Sequence, residues 1–313
     1  MVGKGRCGCP TVPIREVGPY EVRARMGEIG RAVRGASGVH CGMNALTVDM
    51  EDWYHVCGAG AYADAMRWDR LESRIVQNTD RVLSLFREHG VRATFFVLGY
   101  IAEREPALVR AVAREGHEIA THGHLHRRIF ELSPDEFRDD LERSIEAVSS
   151  ACGMAVVGFR APEWSMRPHT LWTLEILRRK GILYDCSMVP LTRMGDRQFP
   201  VLPCRIPTLY GDVWEFPLTT VRCFRENLPF TGGLPLRLTP YFYILSKVRR
   251  MNRGGMPALV YMHPWEFDPE QPRMDLPRSR KFMHYFNLPS APRKIAGLLA
   301  HLRFAPVREV LGV

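Results

Sequence analysis

The sequence contains no long hydrophobic run. Nowhere do its 313 residues approach the roughly eighteen consecutive apolar residues of a transmembrane helix. The basic amino terminus, MVGKGRCGCPTVPIREVGPY, also lacks an apolar stretch of signal-peptide length. With 46% hydrophobic and 25% charged residues, the composition is that of an ordinary globular protein. We therefore expect a cytoplasmic protein without a transmembrane segment.

Clustered cysteines are absent as well. The chain has eight cysteines but no C-x-x-C pair, and only Cys7 and Cys9 lie close together in sequence. A zinc knuckle at these two residues would lack its other ligands. We expect free thiols, most of them buried, as is usual in a reducing compartment.

The sequence also lacks a basic stripe with interleaved aromatic residues, so nucleic-acid binding is not predicted. The net charge is +9; residues 1–42 supply seven Lys/Arg against three Glu, and the remaining excess is spread over the rest of the chain. A mildly basic surface of this kind would suit an anionic glycan or a lipid-linked substrate equally well.

Residues 1–42 differ from the rest of the chain, because they are rich in Gly and Arg and show no sustained hydrophobic periodicity. We expect either a disordered extension or a true start of translation at Met43. The main domain is then expected over residues 43–270, with the Pro-rich segment 190–255 as an insertion. Residues 271–313 are expected to form a C-terminal extension packed on this domain.

Beyond Met43, short apolar strands alternate with amphipathic helices. The segment RIVQNTDRVLSLFREHG, for example, has helical spacing of its apolar residues and ends at Gly90. Repeated strand–helix units with nearly continuous apolar strands predict a parallel sheet covered by helices. Their number favours a distorted, TIM-like (β/α) barrel of about seven strands, whose functional residues lie at the carboxyl ends of the strands.

Five polar motifs follow predicted strands and should therefore meet at one rim of the barrel. They are TVDMEDWYH (47–55), THGHLHR (121–127), FRAPEW (159–164), YDCS (184–187) and MHPWEF (262–267).

The H-x-x-x-H spacing of His122 and His126 places both imidazoles on one face if the segment forms a helical turn. With a carboxylate from residues 49–52 they would form a two-histidine, one-carboxylate site, which suits Zn, Co or Ni and hydrolytic chemistry. His124 is out of phase and is expected to be a rim or packing residue.

Taken in order, the five motifs resemble those of the NodB-type polysaccharide deacetylases, carbohydrate esterase family 4, over about residues 45–270. The segments VDMEDWYHV, GFRAPEWS, FTGGLPLRLTPYF and MHPWEFDPEQP further resemble the branch encoded beside exosortase-linked (PEP-CTERM) exopolysaccharide loci. The resemblance implies metal-dependent removal of acetyl groups from N-acetylated amino sugars of an exopolysaccharide or its lipid-linked precursor.

The resemblance also implies roles for single residues. Asp49 matches the catalytic base that deprotonates the attacking water, and Arg160 resembles the arginine that orients this base. His122 and His126 match two ligands of a divalent metal, zinc being the first choice.

On the leaving-group side, His263 matches the general acid that protonates the departing amine. Asp185 resembles the carboxylate that fixes the tautomer of this histidine and raises its pKa. The backbone N–H of Glu163 would help to stabilise the oxyanion.

The chain departs from the family pattern at two positions. The metal-binding aspartate that directly follows the base is replaced by Met50, so Glu51 or Asp52 must supply the third ligand. The i+2 spacing favours Glu51, because it lies on the same side of the strand as Asp49. Glu163 stands where the family often has an aromatic residue, which points to a different substrate groove.

Aromatic residues accompany the motifs. Trp53, Tyr54, Trp164 and Trp265 could stack on sugar rings, and packing at the end of the barrel is an equally plausible role for them.

Three other functions stay open from sequence alone. The same fold could hydrolyse a cyclic amide, as allantoinase-like relatives do. Loss of the metal site through Met50 would leave a non-catalytic glycan-binding module. Nucleic-acid binding is the least favoured of the three.

Overall fold

The structure is a computed structural model, and it describes residues 42–56 and 64–313. Apart from Gly42, the expected disordered extension lies outside the described residues, as do Cys7 and Cys9. In the first half the elements are β1 (Asn44–Met50), α1 (Ile75–His89), β2 (Thr94–Val97), α2 (Gly99–Arg104), α3 (Pro106–Arg114), β3 (Glu118–Thr121), α4 (Pro134–Cys152), β4 (Gly158–Phe159), α5 (Trp172–Arg179) and β5 (Tyr184–Asp185).

The second half continues with more irregular elements. They are β6 (Cys204–Ile206), β7 (Val213–Glu215), β8 (Thr220–Cys223), β9 (Glu226–Pro229), α6 (Gly233–Leu238), α7 (Tyr241–Arg253), β10 (Leu259–Met262), α8 (Arg278–Tyr285), α9 (Ser290–His301), β11 (Phe304–Ala305) and α10 (Val307–Leu311). None of the described helices is both long enough and apolar enough to cross a bilayer.

Nine of the described strands form a curled sheet in the order β10–β1–β2–β3–β4–β5–β7–β6, with β11 paired to the start of β1. All of these pairs are parallel except β6–β7. In the described part of the chain, the outer strands β10 and β6 do not pair with each other. The expected distorted (β/α) barrel is thus confirmed as a half-barrel. It has nine strands rather than about seven, because β6 and β11 extend it.

The helices form where local sequence and packing agree. In α4, Ser133 accepts a hydrogen bond from the backbone N–H of Glu136 while the Glu136 carboxylate accepts one from the Ser133 backbone, a reciprocal capping box. Helix α1 ends at Gly90, whose φ of 61° lies in the left-handed region that glycine adopts without strain. The inner faces of these helices cover strands such as β1, in which all seven residues are buried.

Strand register positions the site. Met50 pairs with Val97, Val97 with Thr121, Thr121 with Phe159, and Phe159 with Asp185. The residues that follow these strands therefore start at one level, at the carboxyl rim of the half-barrel.

The segments expected as insertion and extension both contribute to this sheet. Within 190–255, β7 pairs with β5, while β8 and β9 form a separate two-stranded hairpin. Within 271–313, β11 pairs with β1, and the backbone N–H of Val307 donates to Thr94 Oγ1 at 2.8 Å.

Candidate metal-binding active site

Two histidines and one carboxylate converge at the rim. Glu51 Oε1 lies 2.9 Å from Nε2 of His122 and 2.9 Å from Nε2 of His126. All three side chains are buried, and their ligand atoms are close enough to hold a single ion. The sequence-predicted pair His122 and His126 and the favoured carboxylate Glu51 are therefore brought together.

The two histidines meet through a loop, so the helical turn considered for the H-x-x-x-H spacing is not what brings them together. After β3 the chain turns at Gly123, where φ is 77°, and His126 itself has a φ of 52°. The loop is fastened by Asp140 of α4, which accepts from the backbone N–H of His124 at 2.7 Å. The H-x-x-x-H spacing identified His122 and His126 as neighbours, but the loop conformation and not helical periodicity brings them together.

The donor set fits a divalent cation. His122 Nδ1 lies 2.8 Å from the Arg160 carbonyl oxygen, which can only accept, so Nδ1 carries the proton. Nε2 of His122 faces Glu51 Oε1 at 2.9 Å, and either a proton or a metal ion can lie between these two atoms. Nitrogen and carboxylate ligands of this kind suit zinc.

Electrostatics favour an ionised Glu51. Burial alone would raise the pKa of this carboxyl group, but the charges of His126 and His263 and hydrogen bonds from both ligand histidines hold it well below its ordinary value.

Asp52, the alternative third ligand, points away from the histidines. Its carboxylate accepts from the Ser73 hydroxyl at 2.7 Å, from the Arg74 N–H at 2.9 Å and from the Trp53 N–H at 2.9 Å. These bonds tie the turn after β1 to the start of α1. The placement of Asp52 among the possible ligands is therefore wrong, because its oxygens already serve backbone donors.

Asp49 lies beside the histidine–carboxylate cluster and is held by Arg160. Both side chains are buried, and the guanidinium donates to Asp49 Oδ1 and, at 3.0 Å, to the Thr47 hydroxyl. The guanidinium carbon also lies 4.2 Å from the ring centre of Phe96 and 4.8 Å from that of Trp164. The two rings hold the Arg160 guanidinium in place, and the guanidinium in turn fixes the orientation of the second Asp49 oxygen, Oδ2.

His263 approaches from the last long parallel strand, β10. Its Nε2 lies 3.9 Å from Asp49 Oδ2, on the side of Asp49 opposite to Arg160's contact. Its Nδ1 lies 3.1 Å from Glu266 Oε2, and the same oxygen accepts from the His263 backbone N–H at 3.1 Å. Glu266 in turn pairs with the buried Arg237 at 2.9 Å.

The partner of His263 is therefore Glu266 and not Asp185 as expected. Asp185 Oδ1 instead accepts from the Ser187 hydroxyl, and burial raises the pKa of the carboxyl groups of both Asp185 and Glu215. Asp185 ends β5 at the rim, but the bound oxygen serves Ser187, two residues further along the chain.

The Glu266 contact has an electrostatic consequence. Burial would lower the pKa of His263, but Glu51, Glu266 and Asp49 together raise it to about 9.

Sequence reasoning missed Glu266 and Arg237. The H-x-x-E spacing was a usable signal, because a side chain three residues into a turn reaches back to the residue that caps it.

The predicted sugar-stacking residues are packed inside the rim. The indole N–H of Trp53 donates to the Glu72 carbonyl at 2.9 Å, and Trp265 stacks between His263 and His284. Trp53, Tyr54, Trp164 and Trp265 are all buried, which fits barrel-end packing, the other role foreseen for them.

Glu163 lies at the rim in a strained backbone. It has a φ of 49° and the next residue, Trp164, a φ of 53°, both in the left-handed region that costs a non-glycine residue about 1–3 kcal/mol. Such strain concentrates at functional sites. Burial raises the pKa of the Glu163 carboxyl group, and Arg128 and Arg280 act against that shift.

Comparison with known proteins places two family models on the chain. Residues 64–182 match the model described as polysaccharide deacetylase, and residues 186–312 match a domain of unknown function, DUF3473. Asp49 and Glu51 precede the first match, and His263 and Glu266 lie within the second.

Curated relatives match over part of their length. A chitooligosaccharide deacetylase of Bradyrhizobium sp. (strain ANU 289) is 34% identical over 99 residues, which cover 32% of this chain and 43% of the relative. A peptidoglycan-N-acetylglucosamine deacetylase of Bacillus cereus is 29% identical over 119 residues, which cover 34% of this chain and 43% of the relative. The matches thus span less than half the length of either protein.

A solved structure supports the fold over nearly the whole chain. A putative polysaccharide deacetylase from Mycobacterium smegmatis aligns with a TM-score of 0.58 and 24% identity, and the alignment covers 87% of this chain and 90% of that one.

Proposed function

From the match of residues 64–182 to the polysaccharide deacetylase model, we propose that this protein is a metal-dependent hydrolase that removes acetyl groups from N-acetylated amino sugars. The observation that carries the proposal is the arrangement of five side chains at one rim: Glu51 between His122 and His126, with Asp49 and His263 beside them. A ligand set, a base and an acid are what hydrolysis of an amide requires.

We assign Glu51, His122 and His126 as the metal ligands, with zinc as the expected ion. When bound, the ion supplies Lewis-acid polarisation of the acetyl carbonyl and lowers the pKa of water at the site. The hydrogen bond from His122 to the Arg160 carbonyl fixes the orientation of one ligand before any ion binds.

Asp49 takes the proton of the attacking water in this proposal. The Arg160 guanidinium donates to one oxygen of Asp49 and leaves the second oxygen to accept a proton. The rings on both sides of the guanidinium exclude water from this contact and hold the base in place.

His263 supplies the proton that the departing amine needs. Glu266 accepts from Nδ1, so Nε2 is the nitrogen that faces Asp49 and the reacting groups. Nε2 of His263 lies 3.9 Å from Asp49 Oδ2, so the acid and the base are neighbours that face the same reacting group.

The substrate class follows from the relatives. Their names state chitooligosaccharide and peptidoglycan N-acetylglucosamine deacetylation, so polymers that contain N-acetylglucosamine are the proposed substrates here. An exopolysaccharide or its lipid-linked precursor is the narrower proposal, supported by the resemblance of the FTGGLPLRLTPYF and MHPWEFDPEQP segments to the exopolysaccharide-locus branch.

The test is acetate release from N-acetylglucosamine oligomers by zinc-loaded protein. Asp49→Asn and His263→Ala should each reduce kcat by about 10²–10⁴, the usual contribution of a general acid or base. Asp135→Asn serves as a control, because the Asp135 carboxylate is exposed on α4 and pairs with Arg138 of the same helix.

Ring opening of a cyclic ureide is measured in parallel. Acetate release at wild-type rates by both catalytic variants would disprove the mechanism. Ring opening without acetate release would replace the proposed substrate by a cyclic amide.

A further inference from the structure

The excess positive charge is not spread over the rest of the chain as the total charge indicated. Residues 227–265 contain five Lys/Arg and no Asp/Glu, and residues 276–308 contain seven Lys/Arg and no Asp/Glu. These two segments supply α6, α7, α8 and α9. One group of neighbouring helices is therefore cationic throughout.

Large apolar side chains are exposed on the same group of helices. Leu238 is 51% exposed, Phe282 and Met283 are each 49% exposed and Phe286 is 38% exposed. We call these four residues the α6–α8 patch. Phe242, at the start of α7, is 79% exposed. Apolar side chains of this size at such exposure mark interaction surfaces when they occur together.

Hydrogen bonds hold the two ends of the patch against each other. The Arg237 guanidinium donates to the carbonyl oxygens of Met283, at 2.8 Å, and Phe286, and the Asn287 amide donates back to the Arg237 carbonyl at 3.1 Å. The ring centres of Phe282 and Phe286 lie 4.6 Å apart. The end of α6 that carries Leu238 is thus fixed beside the end of α8, and the patch is built into the fold.

We propose that the α6–α8 patch binds the surface of an anionic lipid bilayer. Helix α8 begins with Arg278 and Lys281, both exposed, and continues directly into Phe282 and Met283. Cations attract an anionic surface, and aromatic and aliphatic side chains beside them enter the boundary between headgroups and acyl chains. A nucleic-acid surface would use the cations but would leave the half-exposed aliphatic residues in water.

The patch lies on the outside of elements whose inner side contacts the active site. His284 of α8 stacks on Trp265 at 4.1 Å between ring centres, and Trp265 stacks on His263 at 4.9 Å. Bilayer binding through α8 would therefore bring the site close to a membrane-held glycan. This last step rests on the proposed function, whereas binding to the bilayer does not.

Vesicle sedimentation tests the inference without any turnover. The purified full chain should bind vesicles that contain phosphatidylglycerol, bind pure phosphatidylcholine vesicles at least about tenfold more weakly, and be released by salt. The double variants Phe282→Ser/Phe286→Ser and Arg278→Glu/Lys281→Glu should each weaken binding to the anionic vesicles by about tenfold or more.

Matched controls use the β8–β9 hairpin, which carries the same residue types. Phe224→Ser, at a position that is 97% exposed, and Arg222→Glu/Arg225→Glu should leave vesicle binding unchanged. Circular dichroism and thermal melting show whether each variant is folded, and acetate release shows separately whether the site works.

Three results would overturn the inference. They are no binding of the folded protein to anionic vesicles, an equal loss of binding in the hairpin variants, and a change from dimer to monomer in Phe282→Ser/Phe286→Ser without vesicle binding by the wild type. Retention of a DNA duplex without vesicle binding would assign the cationic helices to a different partner and reject the bilayer.

Discussion

Replacement of Glu266 by alanine tests the unexpected partner of the catalytic histidine. The Glu266 side chain is 2% exposed and Arg237 is 1% exposed, so neither can reach a polysaccharide in the rim. Loss of the carboxylate removes the acceptor of His263 Nδ1 and leaves the Arg237 charge without its ion-pair partner. An uncompensated buried charge of this kind costs about 3–5 kcal/mol of the free energy of unfolding.

The effect on catalysis should be smaller than deletion of the histidine. His263→Ala removes the acid, which is worth about 10²–10⁴ in kcat. Glu266→Ala keeps the acid, but it frees the His263 ring to rotate and removes one of the charges that raise the pKa of His263. We expect kcat to fall by about 10–10² while KM stays near the wild-type value. Glu266→Gln keeps an oxygen acceptor for Nδ1–H and should recover part of kcat.

The assay combines acetate release with nuclear magnetic resonance of the hydrogen-bonded imidazole protons. The Nδ1–H signal of His263, identified by its loss in His263→Ala, should disappear in Glu266→Ala and persist in Asp185→Asn. The reverse pattern, or wild-type kcat in folded Glu266→Ala, would refute the assignment of Glu266 and return the role to Asp185.

Three further predictions concern the metal, the pH dependence and the helix cap. Glu51→Gln should abolish stoichiometric zinc binding measured by metal analysis, whereas Asp52→Asn should keep the metal and lose about 1–2 kcal/mol of unfolding free energy, because Asp52 accepts from backbone donors. Burial and the charge of Arg92 lower the pKa of His117 from 6.5 to about 4, so the stability it provides is full above pH 6.5 and is lost as the pH falls toward 4. His117→Asn should flatten this decline by up to about 3 kcal/mol in chemical denaturation at a series of pH values, and an unchanged slope would contradict the shift. Ser133→Ala should lower stability by about 1 kcal/mol through loss of the capping box, and a value near zero would show that packing alone fixes the start of α4.

Much of the fold could be predicted because its signals are local. Apolar strands separated by amphipathic helices with recognisable caps indicated a parallel sheet, and the predicted strand ends do lie at one rim. The edges of the sheet could not be predicted, because β6 and β11 are very short and depend on neighbours far away in the chain. The loop that joins His122 and His126 could not be predicted for a related reason, because it is held by Asp140, which is contributed by another element.

The residues of the candidate site could likewise be predicted only in part. Residue type and spacing indicated His122, His126 and Glu51 as ligands, and they converge in the structure. The H-x-x-E spacing was the one sequence signal that favoured Glu266, and it did not exclude Asp185, a carboxylate at the end of another strand. Their difference lies in the direction of their oxygens.

By itself, the sequence determined which chemical groups this protein possesses and that parallel strands would bring them to one rim, because hydrophobic periodicity and motif order are properties of the chain. Only the tertiary structure decided which carboxylate meets which histidine. Asp52 is engaged by the start of α1, Asp185 by Ser187, and Glu266 by the turn after β10 and the buried Arg237. The choice among chemically equivalent carboxylates depends on where their hydrogen-bond partners lie in space. The linear sequence does not contain the distances between these groups.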